Sequence, residues 1–157
     1  VTCRIAPHHS PGIPMFVGEV WRVLKPGGTF ALVDNIAPDA ESTPGFSSAE
    51  LRDAALAYNA FETIRDPSHS RCLGLAEWSE IITSTGFDLV HKERLGKDME
   101  FQPWAERLGA DAATIARLRT MLSDGAPTMQ AFLRPRLEEG QLWFTLDEAI
   151  LIARKPQ

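Results

Sequence analysis

Two cysteines, no long apolar run and no surplus of positive charge narrow this sequence before any motif is found. Cys3 and Cys72 are the only two thiols among 157 residues and stand at no metal-ligand spacing, which predicts reduced thiols in a cytoplasmic protein. No stretch approaches the roughly 20 consecutive apolar residues that cross a bilayer, so no membrane partner is expected. No basic leader followed by an apolar run marks a secretion signal. A net charge of -5 and a pI near 5.4 leave no basic face for nucleic acid. Neither a Ser-His-Asp hydrolase elbow nor a phosphate loop is present, and no internal repeat or low-complexity tract is visible. What the chain does have is 44% hydrophobic residues over a length suited to one core, hence a single domain over residues 1–157.

The chain is organised around Arg22 to Asn35, RVLKPGGTFALVDN. Arg22 to Lys25 finish a helical pattern that Pro26 cannot continue, and Gly27-Gly28 supply positive φ for a sharp reversal. Thr29 to Val33 are β-branched or apolar, as in a strand covered on both faces. Asp34 and Asn35 sit at its carboxyl end, the edge where open α/β sheets bind ligands. Before it, Val1 to Ile5 reads as a strand, Ala6 to Pro14 as a loop, and Phe16, Val17, Val20, Trp21 and Leu24 as one helix face. Strand, helix, strand with short links implies a parallel crossover. Ser47 and Glu50 form a capping-box signature for a helix that carries Leu51, Ala54, Tyr58 and Phe61 and stops at Asp66-Pro67. A further helix around Trp78, Ile81 and Ile82 closes at Gly86, and a strand covers Phe87 to Glu93. Residues 96–141 read as a helical insertion, with Pro103-Trp104, Asp111 and Pro127 as helix starts. The insertion is a candidate lid or oligomer surface, or simply packs on the domain. Leu142 to Leu146 and Ala149 to Ala153 read as the final strand segments.

The LKPGG element between a helix and a buried strand resembles the centre of class I S-adenosylmethionine-dependent methyltransferases. More narrowly it resembles the small-molecule enzymes related to those of ubiquinone and menaquinone biosynthesis (methyltransferase type 11). VTCRIAPHH (Val1 to His9), RDPSH (Arg65 to His69) and DEAILIARKP (Asp147 to Pro156) fit the same picture. The resemblance implies an α/β fold: a partial Rossmann-like sheet of about four strands. Its last strand would be antiparallel and lie beside Thr29 to Val33, with the helical insertion just before it. In the family a glycine-rich loop and an acidic residue that bind the cofactor come before this point, and no E/D-x-G-x-G pattern occurs here. The chain therefore resembles the carboxyl-terminal portion of that fold. The implied cofactor is S-adenosylmethionine and the implied partner a small-molecule methyl acceptor.

Methyl transfer from a sulfonium depends on alignment, with a base needed when the acceptor has a proton to lose. By resemblance, Arg4, Ile5 and Ala6 match positions that line the cofactor site, and His8 or His9 faces the acceptor. Histidine titrates near neutrality, as a general base should; equally, both rings suit helix capping or loop carbonyls. Asp34 and Asn35 have the address of substrate ligands, or satisfy loop amides. Tyr58 offers a hydroxyl to substrate, or belongs to the core. Arg65, Asp66 and His69 meet the same pocket from above, or form an ordinary helix stop. His8, His9, His69 and Cys72 form no closed zinc set, so no metal is expected. The rival reading is a non-catalytic half-fold acting as a binding or assembly module. The apolar strand Val1 to Ile5, gated only by Arg4, would leave a pairing edge, and a homodimer is expected through it or through the insertion.

Overall fold

A computed structural model describes residues 1–157 and contains five strands and six helices. Strand β1 (Thr2–Arg4) leads through a 3-10 turn (Pro7–His9) into α1 (Ile13–Val23), and β2 (Thr29–Asn35) follows. Helices α2 (Ser48–Arg65) and α3 (Leu75–Ser84) precede β3 (Asp88–Glu100). Three short helices, α4 (Phe101–Glu106), α5 (Ala112–Ser123) and α6 (Pro127–Leu133), lead into β4 (Arg136–Glu138) and β5 (Gln141–Arg154). The sheet order is β1-β2-β5-β3, with β4 paired to one end of β5. β1 and β2 are parallel, and β5 runs antiparallel to both β2 and β3. The antiparallel last strand therefore lies beside Thr29 to Val33, as the family pattern implies.

Local chemistry accounts for most boundaries. Pro14 occupies the first turn of α1, where a missing N–H costs nothing. The Ser47 hydroxyl accepts from the Glu50 amide while the Glu50 carboxylate accepts from the Ser47 amide at 2.8 Å, a complete capping box for α2. Asp111 caps α5 through the Thr114 amide, 2.8 Å away. The two glycines of the central turn differ in role. Gly27 has φ +75°, whereas Gly28 has an ordinary φ but no room: a Cβ there would lie 2.8 Å from the Lys25 carbonyl oxygen. Only the first is needed for positive φ.

Three other expectations change. There are five strands, the fifth being the short β4. The strand expected over Phe87 to Glu93 extends to Glu100, so the helices of the 96–141 segment occupy only Phe101–Leu133. The two final strand segments are one continuous β5. In both strands the ladder and its cross-strand side chains override weak local signals. The carboxylate of Asp147, buried in β5, pairs with the guanidinium of Arg134, and the Thr145 hydroxyl donates to Asp98 of β3 at 2.7 Å.

One hydrophobic cluster joins the helices to the sheet. Trp21 of α1 meets Phe87 edge-on (centroids 4.8 Å apart), and Phe87 reaches Phe30 of β2. At the other end Phe61 of α2 stacks on Trp104 of α4 at 5.0 Å and 12°, and Trp104 meets Phe144 of β5 edge-on. Each such pair contributes about 0.5–1.5 kcal/mol beyond area burial. This second cluster fixes the end of α2 above the carboxyl ends of β1 and β2.

Candidate active site

At that edge the chain changes direction abruptly. Ile5 has φ +47°, a conformation that a β-branched side chain adopts at a cost of about 1–3 kcal/mol. Its amide still donates to the Val33 carbonyl at 2.8 Å, so the kink comes directly after the last β1 bond. Pro7 then opens the 3-10 turn that carries His8 and His9. From above, the end of α2 contributes Glu62, Arg65 and Asp66, and the turn after Pro67 contributes His69. Together with Ile5, Asn35 and residues of β3, α4 and β5, these line a cavity of about 220 Å³.

Each histidine is held by one nitrogen. The His8 amide donates to one oxygen of Asp34 at 3.0 Å and its ring Nδ1 meets the other at 2.5 Å. Asp34, only 1% exposed, thus grips both backbone and ring. The His8 carbonyl accepts from the amides of Ser70 and Arg71, each at 2.9 Å, which ties the loop after β1 to the turn after α2. His9 Nδ1 lies 3.0 Å from the Ser68 carbonyl, an acceptor only, so Nδ1 carries the proton and Nε2 is left without one in the neutral ring. The Ser68 hydroxyl donates to Asp66, whose carboxyl is lowered chiefly by that bond.

His69 is set by Asn59. The Asn59 amide nitrogen faces two carbonyls (Ala55 and Cys72), and its oxygen accepts from the Cys72 amide at 2.7 Å, which fixes the orientation of the group. His69 Nε2, 2.9 Å from that oxygen, is therefore a donor. Burial, with His8 and His9 nearby, pushes His69 down to about 4, so its ring is neutral at pH 7. The rings of His8 and His9 lie 4.2 Å apart by centroid, and those of His8 and His69 5.5 Å apart.

Glu62 is the residue that sequence reasoning missed. It is 5% exposed, one of its oxygens has no hydrogen-bond partner, and burial pushes it up to about 7 against the opposing pull of Arg65 and His8. The signal was present: Glu62 follows Tyr58 by four residues, so it puts a carboxyl on the buried stripe of α2.

The other expected residues divide. His8, His9, His69, Ile5 and Asn35 share the cavity, and so do Arg65 and Asp66. Asp34 stands behind His8 and does not itself line it. Tyr58, expected to offer its hydroxyl to substrate, is withdrawn into the core edge-on to Phe132; its hydroxyl has no partner, and burial raises it well above the usual phenol range. Arg4 and Ala6 are exposed beside the kink, outside the cavity. No group of three or more His, Cys, Asp or Glu side chains is arranged to hold a metal ion.

Chemically, the cavity offers imidazole nitrogens as proton acceptors, each ring with its other nitrogen on a fixed acceptor. Beside them is a carboxyl group poised near neutrality, which donates or accepts according to pH.

No family model matches the chain. A solved structure from Bacillus halodurans C-125, designated a methyltransferase, superposes with a TM-score of 0.85 at 30% identity, covering 100% of this chain and 69% of that one. The uncharacterised methyltransferase YcgJ of Bacillus subtilis (strain 168) is 30% identical over 123 residues, 78% of this chain and 44% of its own length. The crystal structure of YcgJ superposes with a TM-score of 0.80 at 27% identity, covering 99% of this chain and 63% of that one. Sterol 24-C-methyltransferase erg-4 of Neurospora crassa is 32% identical over 96 residues, 61% of this chain and 23% of its own length. The chain thus spans less than half the length of these two curated relatives.

Proposed function

The chain belongs to the class I S-adenosylmethionine-dependent methyltransferases, and we propose on that footing that its whole protein methylates a small organic molecule in the cavity beyond β1. The observation that carries this is the convergence of His8, His9, His69 and Glu62 on one cavity at the carboxyl edge of two parallel strands. S-adenosylmethionine supplies an electrophilic methyl group on sulfur. The residues present fit part of that cofactor's site: the strained Ile5 turns the backbone sharply at the strand end, with Arg4 and Ala6 exposed on either side. A glycine-rich cradle is not among them.

His8 is the better-placed general base, because Asp34 fixes its ring with Nδ1 toward the carboxylate and leaves Nε2 to accept the acceptor's proton. His9, held by Ser68, is the second candidate. Asn35 and His69 position the acceptor, and Glu62 protonated donates a hydrogen bond to it.

Calorimetric titration with S-adenosylhomocysteine tests the reading, first with this chain and then with the upstream coding region included. Binding in the longer form, lost or weakened in the chain alone, is expected. Absence of binding in both would instead favour a non-catalytic binding or assembly module. We further propose a cytoplasmic homodimer formed through the α4–α6 helices. No helix is long and apolar enough to cross a membrane. A monodisperse monomer in sedimentation would remove the dimer.

A further inference from the structure

The cavity presents two guanidinium groups that join no ion pair within the chain. Arg65 is half-buried; its Nε donates to the Trp104 carbonyl at 3.0 Å and its guanidinium lies 4.5 Å from the Trp104 ring centroid. Together these contacts fix the guanidinium plane and leave both terminal nitrogens unbonded. Arg107, just after α4, lines the same cavity and joins no ion pair. It is close enough for the two charges to oppose each other, and Arg65 is lowered by burial and by this neighbour against the opposing pull of Glu62 and Asp66.

The remaining charges of the wall are already engaged. Lys97 pairs with Glu148 at 3.5 Å, and Asp66 accepts from Ser68. Glu62 is the one carboxyl nearby without a partner, yet it forms no ion pair with Arg65, and burial favours its neutral form. A guanidinium fork held rigid and partly desolvated, with its terminal donors free, suits a planar carboxylate. The volume of about 220 Å³ equals that of about seven waters at ~30 Å³ each, enough for one small ring.

We propose that this cavity takes a small organic acid, its carboxylate on the terminal nitrogens of Arg65 with Arg107 closing over it, and its nucleophilic group toward Glu62 and the histidines. That the acid is the methyl acceptor rests on the methyltransferase reading; that the cavity binds carboxylates does not.

The test uses three probes of one size and different charge, namely benzoate, benzamide and benzylamine, titrated into the chain near neutral pH. Binding is read by calorimetry and by the imidazole resonances of His8, His9 and His69. Benzoate is expected to bind at least tenfold more tightly than the other two and to shift those resonances. Arg65→Gln should lose at least tenfold in benzoate affinity and Arg107→Gln several-fold, while Arg65→Lys, which keeps the charge without the fork, falls between. Circular dichroism checks that each variant is folded. Preference for benzylamine, or benzoate affinity unchanged in folded Arg65→Gln, overturns the proposal. Benzoate binding in a protein that never binds S-adenosylhomocysteine would keep the acid pocket and remove the methyl-transfer reading. The converse would leave methyl transfer and remove the acid.

Discussion

Glu62→Gln isolates the energetic signature of the buried carboxyl. Its group titrates at about 7 in the folded chain against 4.5 for the free side chain. Between those values the native state keeps a proton that the unfolded state has released, so stability falls as pH rises through this window. At 1.36 kcal/mol per pH unit over this window, the effect amounts to about 3 kcal/mol, complete above pH 7. His69 acts with the opposite sign: held near 4 against 6.5, it lets the unfolded state bind the extra proton, so stability rises between those values. The wild-type profile should therefore be nearly flat between about pH 4.5 and 6.5, where the two effects offset. The variant, left with His69 alone, should climb, and by pH 8 should have gained up to about 3 kcal/mol on wild type relative to their difference at pH 4. Urea unfolding followed by far-ultraviolet circular dichroism and tryptophan fluorescence across this range measures both curves. A difference between wild type and variant that does not change with pH would refute the reasoning, since it would mean that Glu62 titrates alike in both states.

Three further outcomes follow from the geometry. On the proposed methyltransferase reading, Asp34→Asn in the longer protein should lower kcat by about 10²–10⁴-fold while cofactor affinity holds, because the His8 ring loses the acceptor that fixes its tautomer; steady-state kinetics with equilibrium S-adenosylhomocysteine binding separates the two. Trp104→Ala removes the ring wedged between Phe61 and Phe144 and should destabilise the chain by about 3–5 kcal/mol in urea titration. Cys72, buried and raised well above the ordinary thiol range by that burial, should react with a disulfide reagent only on unfolding, whereas half-buried Cys3 should react in the folded chain; two fast thiols in native buffer would contradict this placement.

Much of the frame was legible from sequence because it rests on short-range chemistry. The capping box at Ser47, the cap at Asp111, the proline starts at Pro14 and Pro127, and the PGG turn are each written within four residues. The run of β3 to Glu100 was not, since HKERLGKDME shows no apolar alternation; what extends it is the partner strand alongside, about fifty residues away in sequence. The site was half visible. The histidines and the strand-end Asp34 and Asn35 announce themselves by residue type and position. That Asp34 grips His8 from behind depends on how two loops meet across β1 and β2. Glu62 was hidden because a carboxyl in a helix reads as solvent-facing unless its register against Tyr58 is counted. Tyr58 admits two readings for the complementary reason: its hydroxyl suggests chemistry, but the stripe it belongs to points into the core, where the structure places it.

The placement of β5 bears on how the protein is made. It lies between β2 and β3, and its residues pair with partners up to 125 positions earlier, as Thr29 does with Arg154. On the ribosome, β2 and β3 therefore emerge with no strand between them, and their buried faces wait until Gln141–Arg154 clear the exit tunnel. Closure of so distant a pairing is slow and leaves the sheet aggregation-exposed until β5 is in place. For the same reason a premature stop before Gln141 would leave the β1–β2 pair and β3 without the strand that joins them.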